Sequence, residues 1–230
     1  MPAPGMGYKK TARHSAGWNG EDLAVYIVAL TGASGAVYGV RLVEELLSRG
    51  GDVELIVSPS GFLLLKEELG LDCAALGPAE AAERILASMG PVVRDKAQSG
   101  PGRLTCLPYG DLTASVASGS ALKKTMVVCP CSMGTLARVA SGISGNLIER
   151  AADCVIKERG TLVLVPRETP VSAIHLENML KLARLGVVIL PAMPAFYTKP
   201  ETVGDMVDFI VGKTLDVLGI ENSLYKRWKK

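Results

Sequence analysis

The sequence predicts one α/β domain built on a doubly wound parallel sheet with helices on both faces. Short apolar runs rich in β-branched residues alternate along the chain with segments of helical periodicity. Strands that are apolar on both sides are typical of parallel sheets covered by helices on both faces. The chain has 230 residues, 48% of them hydrophobic, so it can bury one substantial core.

Five runs have the length and composition of strands: Leu23–Leu30, Val53–Val57, Thr125–Cys129, Leu162–Val165 and Val187–Leu190. Helical periodicity predicts six intervening helices and a long C-terminal one: Ala36–Arg49, Pro59–Leu69, Pro78–Met89, Gly134–Ala140, Asn146–Arg159, Ile174–Arg184 and Val203–Leu218. In the first helix, Val40, Val43 and Leu47 recur at spacings of three and four, which is the face that packs on a sheet. Pro78 suits a first helical position because its missing N–H is not needed there.

Two segments do not fit this alternation. Residues 90–120 are rich in Gly and Ser and weakly periodic, which predicts a long surface excursion rather than a domain boundary. Residues 1–22 lack the apolar core of a secretory signal, and their Pro, Gly, Lys and Arg content predicts a disordered tail, with a transit peptide as the weaker alternative. The folded domain is therefore expected to cover residues 23–230.

Composition argues against several functional classes. A net charge of +2 and 5% aromatic residues do not favour nucleic-acid binding. The longest apolar run, Leu23–Leu30, is too short to span a bilayer. Five cysteines and two histidines form no disulfide or zinc pattern, which argues against a metal site. Buried, reduced thiols in a cytoplasmic protein are the expected state.

Charged residues accompany the end of the fourth predicted strand. Arg167 and Glu168 follow this strand in a proline-bounded loop, at the sheet edge where ligands bind in parallel α/β folds. On the preceding helix, Arg150 and Lys157 are seven residues apart and share a face, about 10 Å apart along the axis. Convergence of these groups on the strand end predicts a site for an anionic substrate, namely a phosphate. A solvated helix face and a loop ion pair explain the same spacing, which alone does not decide between them.

Three loops with small, hydroxyl-bearing residues end the first three predicted strands. They contain Gly32-Ala33-Ser34-Gly35, Ser58 and Ser132-Met133-Gly134-Thr135. Each loop alone is compatible with simple helix capping. Together, at one sheet edge, they predict a mononucleotide site at the switch point of the fold. Tyr197 lies near another strand end, either in the site or packed in a Pro-rich turn, and Trp228 is either a lid or part of a basic tail.

A set of motifs resembles the UbiX/Pad flavin prenyltransferase family, in order and spacing, from about Ala24 to Trp228. It comprises Gly32-Ala33-Ser34-Gly35, Cys129-Pro130-Cys131-Ser132, the run from Asn146 to Asp153, Lys157-Glu158-Arg159, Pro166-Arg167-Glu168-Thr169-Pro170, the run from His175 to Met179, and Pro194-Ala195-Phe196-Tyr197. The resemblance implies a Rossmann/flavodoxin-like fold. It also implies a metal-independent enzyme that joins a dimethylallyl group from dimethylallyl phosphate to N5 and C6 of reduced FMN. The product, prenylated FMN, is the cofactor of UbiD-type decarboxylases.

The resemblance also assigns residues. FMN is expected at Gly32, Ala33, Ser34, Ser58, Ser132, Met133, Gly134, Thr135 and Arg167. The prenyl phosphate is expected at Arg150, Lys157, Arg167, Tyr197 and Lys213. Glu168, Glu68, Ser34 and Lys157 are the expected catalytic residues, and Trp228 the lid. A homo-dodecamer is implied, in which each site takes residues such as Arg150 from neighbouring subunits.

Two positions depart from the family pattern. Lys213 stands where arginine is usual, so it keeps the charge but loses the bidentate fork, which predicts altered phosphate affinity or donor choice. Gly145 replaces the usual Asp or Asn, which predicts a looser loop. For assembly, a mean hydropathy of +0.28 predicts subunit contacts, with Met206, Phe209, Ile210 and Leu215 of the C-terminal helix as the candidate interface.

Two other functions stay open beside the prenyltransferase. FMN-dependent cysteine decarboxylases share the fold, but they use an early histidine base, and this chain has only His14 and His175. The second alternative is a protein that carries FMN without catalysis. Such a carrier would not need the second phosphate site that Arg150, Lys157 and Arg167 indicate.

Overall fold

The computed structural model describes residues 24–90, 102–119 and 124–228, which form a six-stranded, wholly parallel sheet. The strands are β1 (Val25–Leu30), β2 (Asp52–Val57), β3 (Leu104–Leu107), β4 (Thr125–Cys131), β5 (Thr161–Pro166) and β6 (Val188–Ile189). Their order is β3-β2-β1-β4-β5-β6, the order of doubly wound Rossmann sheets. The predicted fold class is confirmed.

Within the described ranges, seven α-helices connect and follow the strands. They are α1 (Ala36–Ser48), α2 (Pro59–Leu69), α3 (Pro78–Ala87), α4 (Met133–Ala140), α5 (Leu147–Lys157), α6 (Ala173–Arg184) and α7 (Val203–Val217). Their ends follow from capping. Ser58, Ser132, Asn146, Ser172 and Thr202 each accept a hydrogen bond from a first-turn N–H. All seven helices lie within two residues of their predicted bounds.

The core consists of two layers, one on each face of the sheet. Val28 and Leu30 of β1 enter the layer formed with α1, α2, α3 and α7, whereas Ile27 and Ala29 enter the layer formed with α4, α5 and α6. This alternation follows from the two-residue period of a strand. A continuous apolar run therefore indicates burial on both faces, as the sequence predicted.

The prediction for residues 90–120 is wrong in part, because this segment contains β3. Leu104–Leu107 pairs with β2 at the sheet edge, and the Val53 N–H donates to the Arg103 carbonyl at 2.8 Å. A four-residue strand beside glycines has too little local pattern to be predicted, and only its pairing with β2 defines it. A 3₁₀ turn at Ser115–Ala117 follows. Residues 91–101 and 120–123 lie outside the described residues.

The predicted tail, residues 1–22, and the predicted first strand residue, Leu23, also lie outside the described residues. Among the residues that are described, no helix has the length and hydropathy needed to cross a membrane.

Five exposed apolar side chains lie on or directly beside α6, whereas the apolar residues predicted for the interface on the C-terminal helix are mostly buried. Phe209, Ile210 and Leu215 are buried within the same chain, at 6%, 1% and 0% exposure, so the predicted interface is wrong for these three. In contrast, Leu182 is the one buried residue of α6. The exposed apolar side chains of α6 are Ile174, Leu176 and Leu180, and Val171 and Leu185 flank the helix on either side. A helix with so little intrachain burial is typical of a subunit contact.

Candidate active site

Thr31 joins the loops that follow β1 and β4, the two strands at the switch point of the sheet. Its hydroxyl donates to the Pro130 carbonyl at 2.9 Å and accepts from the Ser132 N–H at 2.7 Å. Its own N–H also donates to the Pro130 carbonyl. These contacts hold the two loops side by side where an α/β sheet binds ligands. Sequence reasoning did not identify Thr31 as a site residue, because the bonds span about 100 residues of chain.

The predicted hydroxyl residues Ser58 and Ser132 serve as helix caps directly after strands β2 and β4. Ser58 accepts from the Gly61 N–H at 3.0 Å, and Ser132 accepts from the Thr135 N–H at 3.2 Å. Capping does not exclude ligand binding, since a capped helix still has first-turn N–H groups without helical partners. Both interpretations of these loops are therefore compatible with the structure.

The start of α4 offers backbone rather than side-chain contacts. The side chain of Met133 is buried in the core at 8% exposure, so only its backbone can face a ligand. Gly134 is exposed, and no heavy atom lies within 4 Å of the position a Cβ would take. The first turn of α4 therefore presents N–H groups beside open space.

Glu68 lies at the amino end of α1, next to the glycine loop. Its carboxylate accepts the N–H of Gly35 at 2.9 Å and the N–H of Ala36 at 2.8 Å. Gly35 has φ +114°, a left-handed conformation that favours glycine. The positive end of the helix dipole and two N–H donors stabilise an anion here. These two N–H groups bind Glu68, so the phosphate of a mononucleotide could use them only by displacing a carboxylate.

Arg167 connects the end of β5 to the glycine loop. Its Nε donates to the Ser34 carbonyl at 3.0 Å, which places the guanidinium against the β1 loop. Glu168 follows it, half-buried, and accepts the N–H of Thr169 at 3.2 Å. The predicted groups near the carboxyl edge of the sheet thus lie on neighbouring loops and helix ends, namely Gly32 to Ser34, Ser58, Glu68, Ser132 to Thr135, Arg167 and Glu168.

Arg150 and Lys157 do not converge on this edge within one chain. Helix α5 runs back to the amino edge, where Lys157 lies beside Gly119 and 3.5 Å from Glu158. Arg167 follows the other end of β5, which spans about 17 Å. Arg150, two turns before Lys157, donates to the Ala117 carbonyl at 3.2 Å and pairs with Asp153 at 3.2 Å. The expected convergence on a strand end is therefore wrong for a single chain.

The polar residues that start α5 orient this helix. Asn146 caps it by accepting the Glu149 N–H at 3.1 Å. Glu149, at 2% exposure, accepts from Arg138 at 2.5 Å and from the Gly145 N–H at 2.8 Å. Burial would raise the pKa of Glu149, but hydrogen bonds from Arg138, Gly145 and Asn146 outweigh it and lower that pKa. The glycine at 145 is thus anchored, contrary to the expected looser loop.

The C-terminal group of predicted residues forms an aromatic cluster. Tyr197 makes edge contacts with Trp228, at 5.1 Å between ring centroids, and with Phe209, at 6.1 Å. Trp228 is 65% exposed. The ammonium of Lys213 lies 5.2 Å from the ring centroid of Tyr225 and 5.8 Å from that of Phe209. Tyr197, Lys213 and Trp228 are therefore brought together by Phe209 and Tyr225, which the sequence analysis did not place in the site.

The cysteines are free thiols, as predicted. Burial raises the pKa of Cys131 to about 12 and also raises that of Cys129, so both are neutral core groups. In the described ranges, no group of three or more His, Cys, Asp or Glu side chains could hold a metal ion.

The chain matches the sequence model of the Flavoprotein family over residues 20–215. It is also 47% identical over 204 residues to flavin prenyltransferase UbiX of Halalkalibacterium halodurans, covering 89% of this chain and 93% of that protein. The chain belongs to the flavin prenyltransferase family. This membership confirms the resemblance inferred from the motifs.

Two crystal structures of the family are similar in fold. AnUbiX (PadA1), in complex with FMN and dimethylallyl pyrophosphate, superposes with a TM-score of 0.75 at 35% identity, covering 91% of this chain and 99% of that one. A dodecameric, FMN-dependent UbiX-like decarboxylase from Escherichia coli O157:H7 has a TM-score of 0.74 at 38% identity, covering 90% and 100%.

Proposed function

We propose that this protein transfers the dimethylallyl group of dimethylallyl phosphate to reduced FMN and produces prenylated FMN. One observation carries the proposal: the Arg167 guanidinium is fixed against the Ser34 carbonyl, at the switch point and beside Glu168. A cation and a carboxylate at a mononucleotide crevice suit the departure of a phosphate and the movement of a proton. The relatives named as flavin prenyltransferases support the same activity.

In our proposal the flavin mononucleotide binds at the carboxyl edge of the sheet, where the β1 and β4 loops lie side by side. Gly134 leaves open space beside the first turn of α4, whose N–H groups suit an anion or a ring carbonyl. The hydroxyls of Ser34, Ser58 and Thr135 and the guanidinium of Arg167 complete a polar lining without bulky side chains. When bound, reduced FMN supplies the nucleophilic N5 and C6 atoms.

The departing phosphate requires fixed positive charge. As an allylic C–O bond breaks, negative charge grows on the phosphate, and preorganised cations stabilise it without rearrangement. In our proposal Arg167 comes from one chain, whereas Arg150 and Lys157 come from a neighbouring chain, because α5 ends at the opposite edge of the sheet. Tyr197 and Lys213 add a hydroxyl and a further cation. The dodecameric relative supports a closed assembly of this kind.

The proposal gives different roles to the two carboxylates: Glu168 accepts a proton, and Glu68 is oriented beside the glycine loop. Glu168 is half-buried and beside Arg167, where it can accept the proton released when C6 forms its new bond. Glu68 is held by the Gly35 and Ala36 N–H groups, which orient its carboxylate toward the glycine loop. Trp228, beside Tyr197, would act as the lid that excludes water from the allyl group.

The product would serve a UbiD-type decarboxylase as its cofactor. This recipient follows from the family resemblance. A cytoplasmic location is proposed from the five free cysteines, which suit a reducing compartment.

The test is anaerobic incubation of the protein with reduced FMN and dimethylallyl phosphate, followed by mass spectrometry of the flavin. We expect the mass of the prenylated product, and Glu168→Gln as the matched variant should accumulate less of it. Recovery of unmodified FMN alone, with either the monophosphate or the diphosphate donor, would support the carrier function instead.

A further inference from the structure

Lys213, on α7, is distinguished by the groups that surround its ammonium. Within the described part of the chain, no Asp or Glu oxygen lies within 4.0 Å of its ammonium. The side chain is half-buried and lines an open groove of about 980 Å³, which α7 forms with Leu190, Pro191 and Met193. An unneutralised ammonium beside an apolar groove is available to an anionic ligand.

Two aromatic rings take the place of a carboxylate. The ammonium is 5.2 Å from the ring centroid of Tyr225 and 5.8 Å from that of Phe209, both inside the range of a cation–π contact. The rings also contact each other, with centroids 5.0 Å apart. Such contacts attract the ammonium without neutralising its charge, which stays available to an anionic ligand.

The ring of Tyr225 is itself held in place. Its hydroxyl donates to Asp216 at 2.5 Å, and Arg227 makes a bidentate pair with the same carboxylate at 2.6 and 2.8 Å. A Cβ on Gly212 would lie 2.6 Å from the ring, so the ring packs directly against the backbone of α7. Burial and Asp216 raise the pKa of Tyr225 to about 12, so it stays a neutral donor.

We propose that Phe209 and Tyr225 are positioning residues that hold the ammonium of Lys213 in place for the phosphate of the prenyl donor. A lysine has a flexible four-carbon stem and lacks the rigid fork of arginine. Two fixed rings restrict this stem before the ligand arrives, so less freedom is lost on binding. The inference rests on the proposed function, in which Lys213 is a phosphate ligand.

The experiment compares Tyr225→Leu and Phe209→Leu with the matched control Tyr225→Phe, which keeps the ring. We expect each leucine variant to raise KM for dimethylallyl phosphate about fivefold to tenfold, with kcat and the Kd for FMN within about twofold of wild type. Tyr225→Phe should stay within about twofold in KM, because its ring keeps the packing against Gly212 without the hydroxyl. Light scattering and thermal melting establish that each variant is assembled and folded.

A double-mutant cycle with Lys213→Met separates positioning from a structural role. If the rings act through Lys213, then Tyr225→Leu adds no further rise in KM once Lys213→Met is present. Multiplicative effects in the double variant would overturn the inference, as would a Lys213→Met enzyme with wild-type KM. Lys213→Arg should partly rescue Tyr225→Leu, because a guanidinium depends less on the rings.

A binding measurement keeps this inference distinct from the proposed function. Calorimetric titration with dimethylallyl phosphate, and with inorganic phosphate, requires no turnover. If wild type binds these anions but forms no product, the proposed function fails, and weaker binding by Tyr225→Leu still supports the positioning role. Equal affinity of wild type, Tyr225→Leu and Lys213→Met for both anions refutes that role.

Discussion

The separation of Lys157 from Arg167 predicts that two inactive variants complement each other. The two residues lie at opposite ends of β5, about 17 Å apart along the strand. If both contact one substrate, they must come from different subunits. A mixed assembly of Lys157→Ala and Arg167→Ala chains then contains some sites in which both residues are wild type.

The expected recovery follows from random assembly. In an equimolar mixture, one half of the sites have an intact Arg167, and one half of those receive an intact Lys157 from the neighbour. About a quarter of wild-type activity should therefore return, whereas each homo-oligomer stays inactive because the phosphate lacks a cation. If both residues came from one chain, every site would lack one of them and no activity would return.

The assay co-expresses the two chains with different affinity tags and isolates mixed assemblies by tandem purification. Prenylated FMN is then measured under anaerobic conditions. The matched control mixes wild type with the Lys157→Ala/Arg167→Ala double variant. Intersubunit sites predict about a quarter of wild-type activity in both mixtures, while intrachain sites predict none in the first and about half in the control. The second pattern would refute our reasoning.

Four other predictions can be tested directly. Glu168→Gln should bind FMN almost as wild type, by fluorescence titration, yet lose most ring closure, because it keeps the shape but cannot accept a proton; wild-type turnover would contradict this. Activity should survive EDTA, since the cations supply the charge that a metal would, and loss that magnesium restores would be contrary evidence. Glu149→Gln should lower the free energy of unfolding by about 2 kcal/mol at pH 7. This value is smaller than that for a fully buried ion pair, because Arg138 is half-exposed. The pKa of Glu149 in the folded protein lies below its ordinary value of 4.5. The difference in unfolding free energy, measured by denaturant titration, should therefore be present above pH 4.5 and vanish as the pH falls through the lowered pKa. Ile174→Lys with Leu180→Lys should dissociate the assembly in light scattering while circular dichroism stays native, and an intact oligomer would argue against α6 as the contact.

Local features of the sequence were sufficient for most of the fold. Strands buried on both faces produce continuous apolar runs, and helices show their period and their capping residues, as at Ser58 and Asn146. The loops that end β1 and β4 could be placed at the same sheet edge because parallel strands share their direction. The set of motifs, which includes Arg167 and Glu168, was sufficient to identify the family.

Tertiary structure alone decided how separate segments meet. Strand β3 exists because it pairs with β2, and Thr31 joins two loops through bonds that span about 100 residues. Lys157 and Arg167 are ten residues apart in sequence, yet strand β5 between them crosses the sheet and places them at opposite edges. Likewise, the rings around Lys213 come from α7 and from the segment that folds back on it. Hydrophobic periodicity records whether a residue is buried, because burial acts on each position separately, but it does not record which distant residue is the neighbour.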